Sequence, residues 1–396
     1  MTGTAAWGAA TPRAVFIGAN QYRQPAYGRN HPLAIPRVSL AFDLLEAFGA
    51  LAAEERAAAR PAADVELEWF HTREYVAAMR RSEALGRVSR EDRERHRIGI
   101  AENPYFERFF SIPATAAGAS IQAAEAVLAG RVAFNPAGGM HHARPDHAQG
   151  FCYFNDVALA ILRLRRAGLR VAYVDLDAHH GDGVEEAFAR DADVLTVSLH
   201  MDTVYAYPGR GGSLGDAGSP AAGHTTLNMP LARDVNDAEY LFVAESVVPR
   251  ALAKFRPDAV VLQAGTDMIA GDPLGKWNLA TQTFLAACAL VIRAAPAGGD
   301  GRPRLMATGG GGYHPILVAR AWAGLWALLS GRELPDAIPP EGEALLRGVR
   351  WEGEDEEDPR GARLFASRLD APRDAPVRPE ARCLVERALA HPFFRQ

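Results

Sequence analysis

The chain is poor in cysteine. Cys152, Cys288 and Cys383 are scattered over 396 residues, with no CxxC pair. An odd, dispersed set argues against a disulfide framework and a cysteine-based zinc site, and suits a reducing cytosol. A basic excess is also missing. Lys plus Arg total 43 against 48 Asp plus Glu, a net charge of -5. No basic run is long enough to suggest a nucleic-acid partner. Met1 to Pro12 lacks a basic segment followed by an apolar one, so no signal peptide is expected. No apolar stretch reaches membrane-spanning length. The expectation is a cytoplasmic protein without nucleic-acid or membrane partners. Its oligomeric state is left open. The high Ala, Arg and Gly content suggests a GC-rich bacterial genome.

What the chain has is apolar residues, 48% of the total, enough for a large core. Short apolar runs alternate with helical stretches. Strand candidates are Ala14–Ile17, Val65–Trp69, Val132–Phe134, Val171–Val174, Val194–Ser198, Ala259–Leu262 and Leu305–Ala307. Helical stretches are Ala114–Ala129, Asp156–Ala167, Ala238–Lys254, Leu279–Ala294 and Ile316–Leu329. Strand–helix alternation predicts an α/β fold with a mostly parallel sheet covered on both faces. In such sheets the ligand site lies at the carboxyl ends of the strands. One domain is expected over residues 1–396, with a core at 13–335 and a C-terminal extension at 340–396 packing on it. That extension holds the acidic run Trp351–Arg360 and a helix candidate, Pro379–Ala390. Residues 84–100 are expected to form a solvated loop or helix.

Five clusters sit beside these strands. The densest is Asp175-Leu176-Asp177-Ala178-His179-His180-Gly181-Asp182-Gly183, after the strand Val171–Val174. Alternation along an extended chain points Asp175, Asp177 and His179 to one side. Buried charges at this density need pairing or a metal. The others are Gly138-Gly139-Met140-His141-His142-Ala143, Gly150-Phe151-Cys152-Tyr153-Phe154-Asn155-Asp156, Gln263-Ala264-Gly265-Thr266-Asp267 and Thr308-Gly309-Gly310-Gly311-Gly312-Tyr313. Taken alone, the histidine pair reads as a surface accident and the aromatic turn as core packing. The glycine run lacks the Lys and Ser/Thr of a phosphate loop. Together they supply carboxylates and imidazoles for a divalent metal, a neutral histidine as proton acceptor and a tyrosine hydroxyl for an oxyanion. Those are the parts for metal-assisted hydrolysis of an amide.

With HPLAIPRV after Tyr27, SLH at 198–200 and QAGTDMIAGDPLG at 263–275 added, the chain resembles the zinc-dependent histone deacetylase superfamily. That superfamily includes bacterial acetoin-utilisation deacetylases and acetylpolyamine amidohydrolases. The resemblance spans residues 28 to 330 and implies a three-layer arginase/deacetylase-type fold on a sheet of roughly eight strands. It implies Asp177, His179 and Asp267 as ligands of zinc, with ferrous iron accepted by the same donors. His141 and His142 match its tandem histidines, paired with Asp175 and Asp182; His142 is the general base and Tyr313 polarises the carbonyl. A potassium ion beside the zinc is implied at Asp175, Asp177, His179, Ser198 and Leu199. Gly150, Phe151, Tyr207, Leu274 and Gly311 are expected along the substrate tunnel, and His180 is expected to be structural.

Two departures concern substrate. The family's rim often carries an aspartate that grips the substrate backbone, and Glu102 is the nearest match here. Tyr205-Ala206-Tyr207-Pro208-Gly209 stands where paired phenylalanines are usual. The expected reaction is metal-dependent hydrolysis of an N-acetyl amide, giving acetate and a free amine, with acetyl-lysine on a protein as substrate. The alternative is an acetylpolyamine or other small N-acyl amine. A non-catalytic acyl-lysine binder and a two-manganese ureohydrolase are disfavoured, the second because residues 265–268 hold one acid where two are needed.

Overall fold

The computed structural model describes residues 14–24, 26–28, 31–351 and 358–395. Met1–Pro12, Arg29, Asn30 and most of the acidic run Trp351–Arg360 lie outside them. Eight strands form one sheet: β1 (Ala14–Gly18), β2 (Arg56–Ala58), β3 (Val132–Asn135), β4 (Val171–Asp175), β5 (Val194–Met201), β6 (Thr226–Leu231), β7 (Ala259–Gln263) and β8 (Leu305–Thr308). Their order is β2-β1-β3-β8-β7-β4-β5-β6, and every pairing is parallel.

The strands alternate between two cores. Phe16, Val174 and Leu262 face the larger one, while Val15, Tyr173 and Val261 face the other. The larger core is closed by the helices Arg37–Ala47, Asp237–Phe255, Thr281–Ala294 and Pro315–Ser330. Trp322 and Trp326 of the last helix are fully buried. Their indole N–H groups donate to the carbonyls of Ala264 (3.0 Å) and Ala50 (2.8 Å), so neither indole is left unpaired. The helices Ser111–Leu128 and Asp156–Arg166 cover the opposite face. Asn155 starts the second of these by accepting the N–H of Ala158 at 2.9 Å.

Two expectations about strands need correcting. Val65–Trp69 is not a strand. Asp64–Leu67 is a helical turn, with Val65 69% exposed and Leu67 buried. Glu66 fixes this turn by accepting the N–H of Ala63 and pairing with Arg60. Five alternating residues suit either structure, and the cap decides it. The strands missing from the sequence reading, β2 and β6, are the two sheet edges. Edge strands need not be apolar, and an edge tolerates Pro230.

Residues 358–395 pack across the larger core. The helix Pro379–Leu389 lies against Asp237–Phe255, anchored by Arg378 on Glu239 at 2.5 Å. Fully buried Arg320 reaches Asp370 at 3.0 Å, and Arg360 reaches the same carboxylate at 3.1 Å. Arg360 also donates to the carbonyl of Ala270, three residues beyond Asp267. The tail is thereby tied to a loop of the candidate site. Residues 84–100 contain a short helix, Arg90–His96.

Candidate metal-dependent active site

Four neighbouring strands, β3, β8, β7 and β4, end on the same edge of the sheet, and the loop after each contributes to one pocket. Asp177 and His179 follow β4, and Asp267 follows β7. One ligating atom from each lies within 4.8 Å of the other two. His179 Nδ1 faces both carboxylates, 2.8 Å from Asp267 Oδ2 and 3.3 Å from Asp177 Oδ1. All three are buried. Two glycines make room for the carboxylates. A Cβ on Gly265 would fall 2.1 Å from Asp177 Oδ2, and one on Gly311 would fall 2.0 Å from Asp267 Oδ2.

The electrostatics suit a bound cation. Burial and the negative charge of Asp177 push Asp267 up to about 7. Burial opposes charge on Asp177 as well, but His141 and His179 hold it below the usual carboxylate range. Two carboxylates this close resist ionising together. A divalent ion is the charge that lets both ionise, and two carboxylates plus one imidazole are a fitting donor set.

The tandem histidines after β3 lie beside this group. His141 Nδ1 is 2.9 Å from Asp175 Oδ2, which Tyr173 also reaches by donating its hydroxyl at 2.6 Å. His142 Nδ1 is 2.7 Å from Asp182 Oδ1. The two Nε2 atoms are 3.1 Å apart. Burial alone would lower both rings. Asp175 and Asp177 outweigh it at His141 and raise that ring to about 9. Burial and the charge on His141 depress His142 to about 4.

Tyr313 follows the glycine loop after β8. Its backbone N–H donates to Asp272 Oδ2 at 2.7 Å, and burial keeps its hydroxyl protonated. Gly150, Phe151, Gly311 and Tyr313 line the cavity together with His141, His142, Asp177 and His179; its volume is about 20 Å³. Tyr207 borders it, its ring edge-on to His142 at 4.8 Å, and Glu102 accepts the N–H of Gly150 at 2.8 Å. Leu274 is half-buried and outside the cavity lining. Asp175 and Ser198 are register partners on β4 and β5, next to Leu199. His180 lies apart from the cavity, 2.9 Å from Glu185.

Several residues of the site escaped the sequence reading. Arg144 and Gln149 donate to Asp182 Oδ2 at 2.5 and 2.7 Å. Arg37 donates to the carbonyls of Gly310 and Gly312, fixing the glycine loop. Asp156 accepts the N–H groups of Gly139 and Met140. Asp156 stood within a recognised cluster. Arg37 stood within the HPLAIPRV motif, but its role did not show, since it lies 273 residues from the carbonyl it holds.

A parallel sheet with an Asp–His–Asp group, two His–Asp pairs and a buried tyrosine at its carboxyl edge defines a metal-dependent amide hydrolase. Residues 31–329 match the model of the histone deacetylase domain. The chain belongs to the histone deacetylase family. It is 38% identical over 306 residues to Histone deacetylase 8 of Xenopus tropicalis, across 76% of this chain and 80% of that protein. It is 38% identical over 318 residues to Histone deacetylase 1 of Oryza sativa subsp. japonica, across 79% of this chain and 59% of that protein. The crystal structure of an HDAC homologue from Aquifex aeolicus superposes with a TM-score of 0.88 at 38% identity, covering 95% of this chain and 99% of that one. An HDAC homologue complexed with SAHA superposes at 0.89 with 39% identity, with the same coverage. Among the described residues, no helix is long and apolar enough to cross a membrane.

Proposed function

We propose that this protein is a zinc-dependent deacetylase that releases acetate from acetyl-lysine side chains of proteins. The observation that carries the reading is the Asp177–His179–Asp267 group lying against two histidines of opposite protonation tendency. Zinc is favoured over ferrous iron by affinity order, though the donors suit both. Held there, it would act as a Lewis acid on the acyl carbonyl and acidify the attacking water.

The remaining roles fall to the chain's own groups. His142, neutral at pH 7, accepts the water's proton at Nε2, and Asp182 fixes its tautomer through Nδ1. His141, held protonated by Asp175, supplies positive charge beside it and assists departure of the amine. The Tyr313 hydroxyl donates to the carbonyl oxygen as negative charge develops. Gly150, Phe151, Tyr207 and Gly311 flank the stem of the acyl-lysine, with Leu274 farther out. A potassium ion at Asp175, Asp177, His179, Ser198 and Leu199 is supported by the buried register pair of Asp175 and Ser198.

The reading is tested by acetate release from an acetyl-lysine peptide and from acetylputrescine. Acetate release from the peptide supports the acetyl-lysine substrate, whether or not the small amine also turns over. Turnover of acetylputrescine alone would move the assignment to small acyl amines.

A further inference from the structure

Tyr207 and Glu102 are both partly exposed, and each touches a residue of the cavity wall. They therefore stand between the buried site and solvent. The Tyr207 hydroxyl donates to Glu102 Oε1 at 2.7 Å. The same oxygen accepts the Gly150 N–H at 2.8 Å, and Arg97 holds Oε2 at 2.8 Å. An ionised carboxylate offers about four lone-pair positions. Three are taken here, including both on the oxygen nearest the cavity wall. The Tyr207 ring also lies so close to Gly150 that a Cβ there would come within 2.8 Å of it. Around it, Val204 and Tyr205 are 79% and 59% exposed, and neither side chain carries a carboxylate.

We propose that Tyr207 is a specificity-determining residue. By taking the second position on Glu102 Oε1, its hydroxyl keeps that oxygen from receiving an N–H group of a substrate's peptide backbone. The enzyme then recognises the acyl amide and its alkyl stem, with little contribution from flanking residues. Acetylated lysine side chains and short N-acetyl diamines become comparable substrates. This rests on the deacetylase reading above.

The test compares kcat/KM for an acetyl-lysine peptide and for N-acetylcadaverine in wild type, Tyr207→Phe, Glu102→Ala and the double variant. Wild type should favour neither probe by more than about threefold. Tyr207→Phe keeps the ring and frees one acceptor position, so the peptide:amine ratio should rise about tenfold, the worth of one charge-assisted hydrogen bond. Glu102→Ala alone should leave the ratio within about twofold of wild type, and added to Tyr207→Phe it should cancel the gain. A ratio unmoved by Tyr207→Phe overturns the proposal, and so does a ratio that collapses in Glu102→Ala alone. Either result leaves the deacetylase reading standing, because both probes still turn over. Release of acetate from neither probe by wild type overturns that reading and this proposal with it.

Discussion

His142 Nδ1 lies 2.7 Å from Asp182 Oδ1, and the second oxygen of that carboxylate is held by Arg144 and Gln149. Burial opposes the charge on Asp182, but His142 and Arg144 hold its pKa below the usual carboxylate range. The anion is therefore present at every pH where His142 is neutral, and the imidazole keeps its Nδ1 proton and its Nε2 lone pair.

Asp182→Asn keeps the shape of this pair and removes its charge. Acetate release should fall about 100-fold in kcat, the low end of what positioned proton transfer contributes, with KM changed less than threefold. Steady-state kinetics on an acetyl-lysine peptide check this.

Tyr313→Phe removes one donor to the developing oxyanion. A loss of about 100- to 1,000-fold in kcat is expected. Because burial raises the Tyr313 hydroxyl well above its ordinary value, its deprotonation should put no alkaline limb on the wild-type profile up to pH 9. A tyrosine-dependent limb below pH 9, absent from the variant, would contradict this.

Asp267→Asn leaves one carboxylate and one imidazole for the metal. Metal content by elemental analysis should fall from about one ion per chain to below one tenth. Circular dichroism should stay unchanged, since the sheet is built from apolar contacts away from this group.

Arg320, Arg360 and Asp370 anchor the C-terminal tail. Arg320→Met, which leaves Asp370 with one guanidinium and the Thr281 hydroxyl, should cost about 3 kcal/mol in urea unfolding. Burial raises the Asp370 carboxyl, but the two guanidinium groups outweigh this and hold it below its ordinary value. A depressed pKa adds stability above the unfolded value, near 3.9, and loses it as pH falls through the folded one. The cost of Arg320→Met should therefore shrink as pH falls below about 4.

Much of this architecture was legible in the sequence, for identifiable reasons. Val171–Val174 and Ala259–Leu262 are central strands buried on both faces, so their residues are almost wholly apolar and stand out. Arg56–Ala58 and Thr226–Leu231 are edges, whose composition carries little signal. The dense cluster from Asp175 to Asp182 showed itself because such charges are costly when buried. Arg144 and Gln149 did not, because a lone polar residue in sequence does not reveal which distant carboxylate it meets.

The central claim is that a metal held by Asp177, His179 and Asp267 acts with His142 to hydrolyse an acetyl amide. Its most direct test is acetate release from an acetyl-lysine peptide by purified protein before and after chelation, with zinc restored, for wild type and His142→Ala. Wild type should lose activity on chelation and regain it with zinc, while His142→Ala should bind zinc yet turn over at least about 100-fold more slowly. Acetate release that survives chelation, or a His142→Ala rate near that of wild type, would contradict the account.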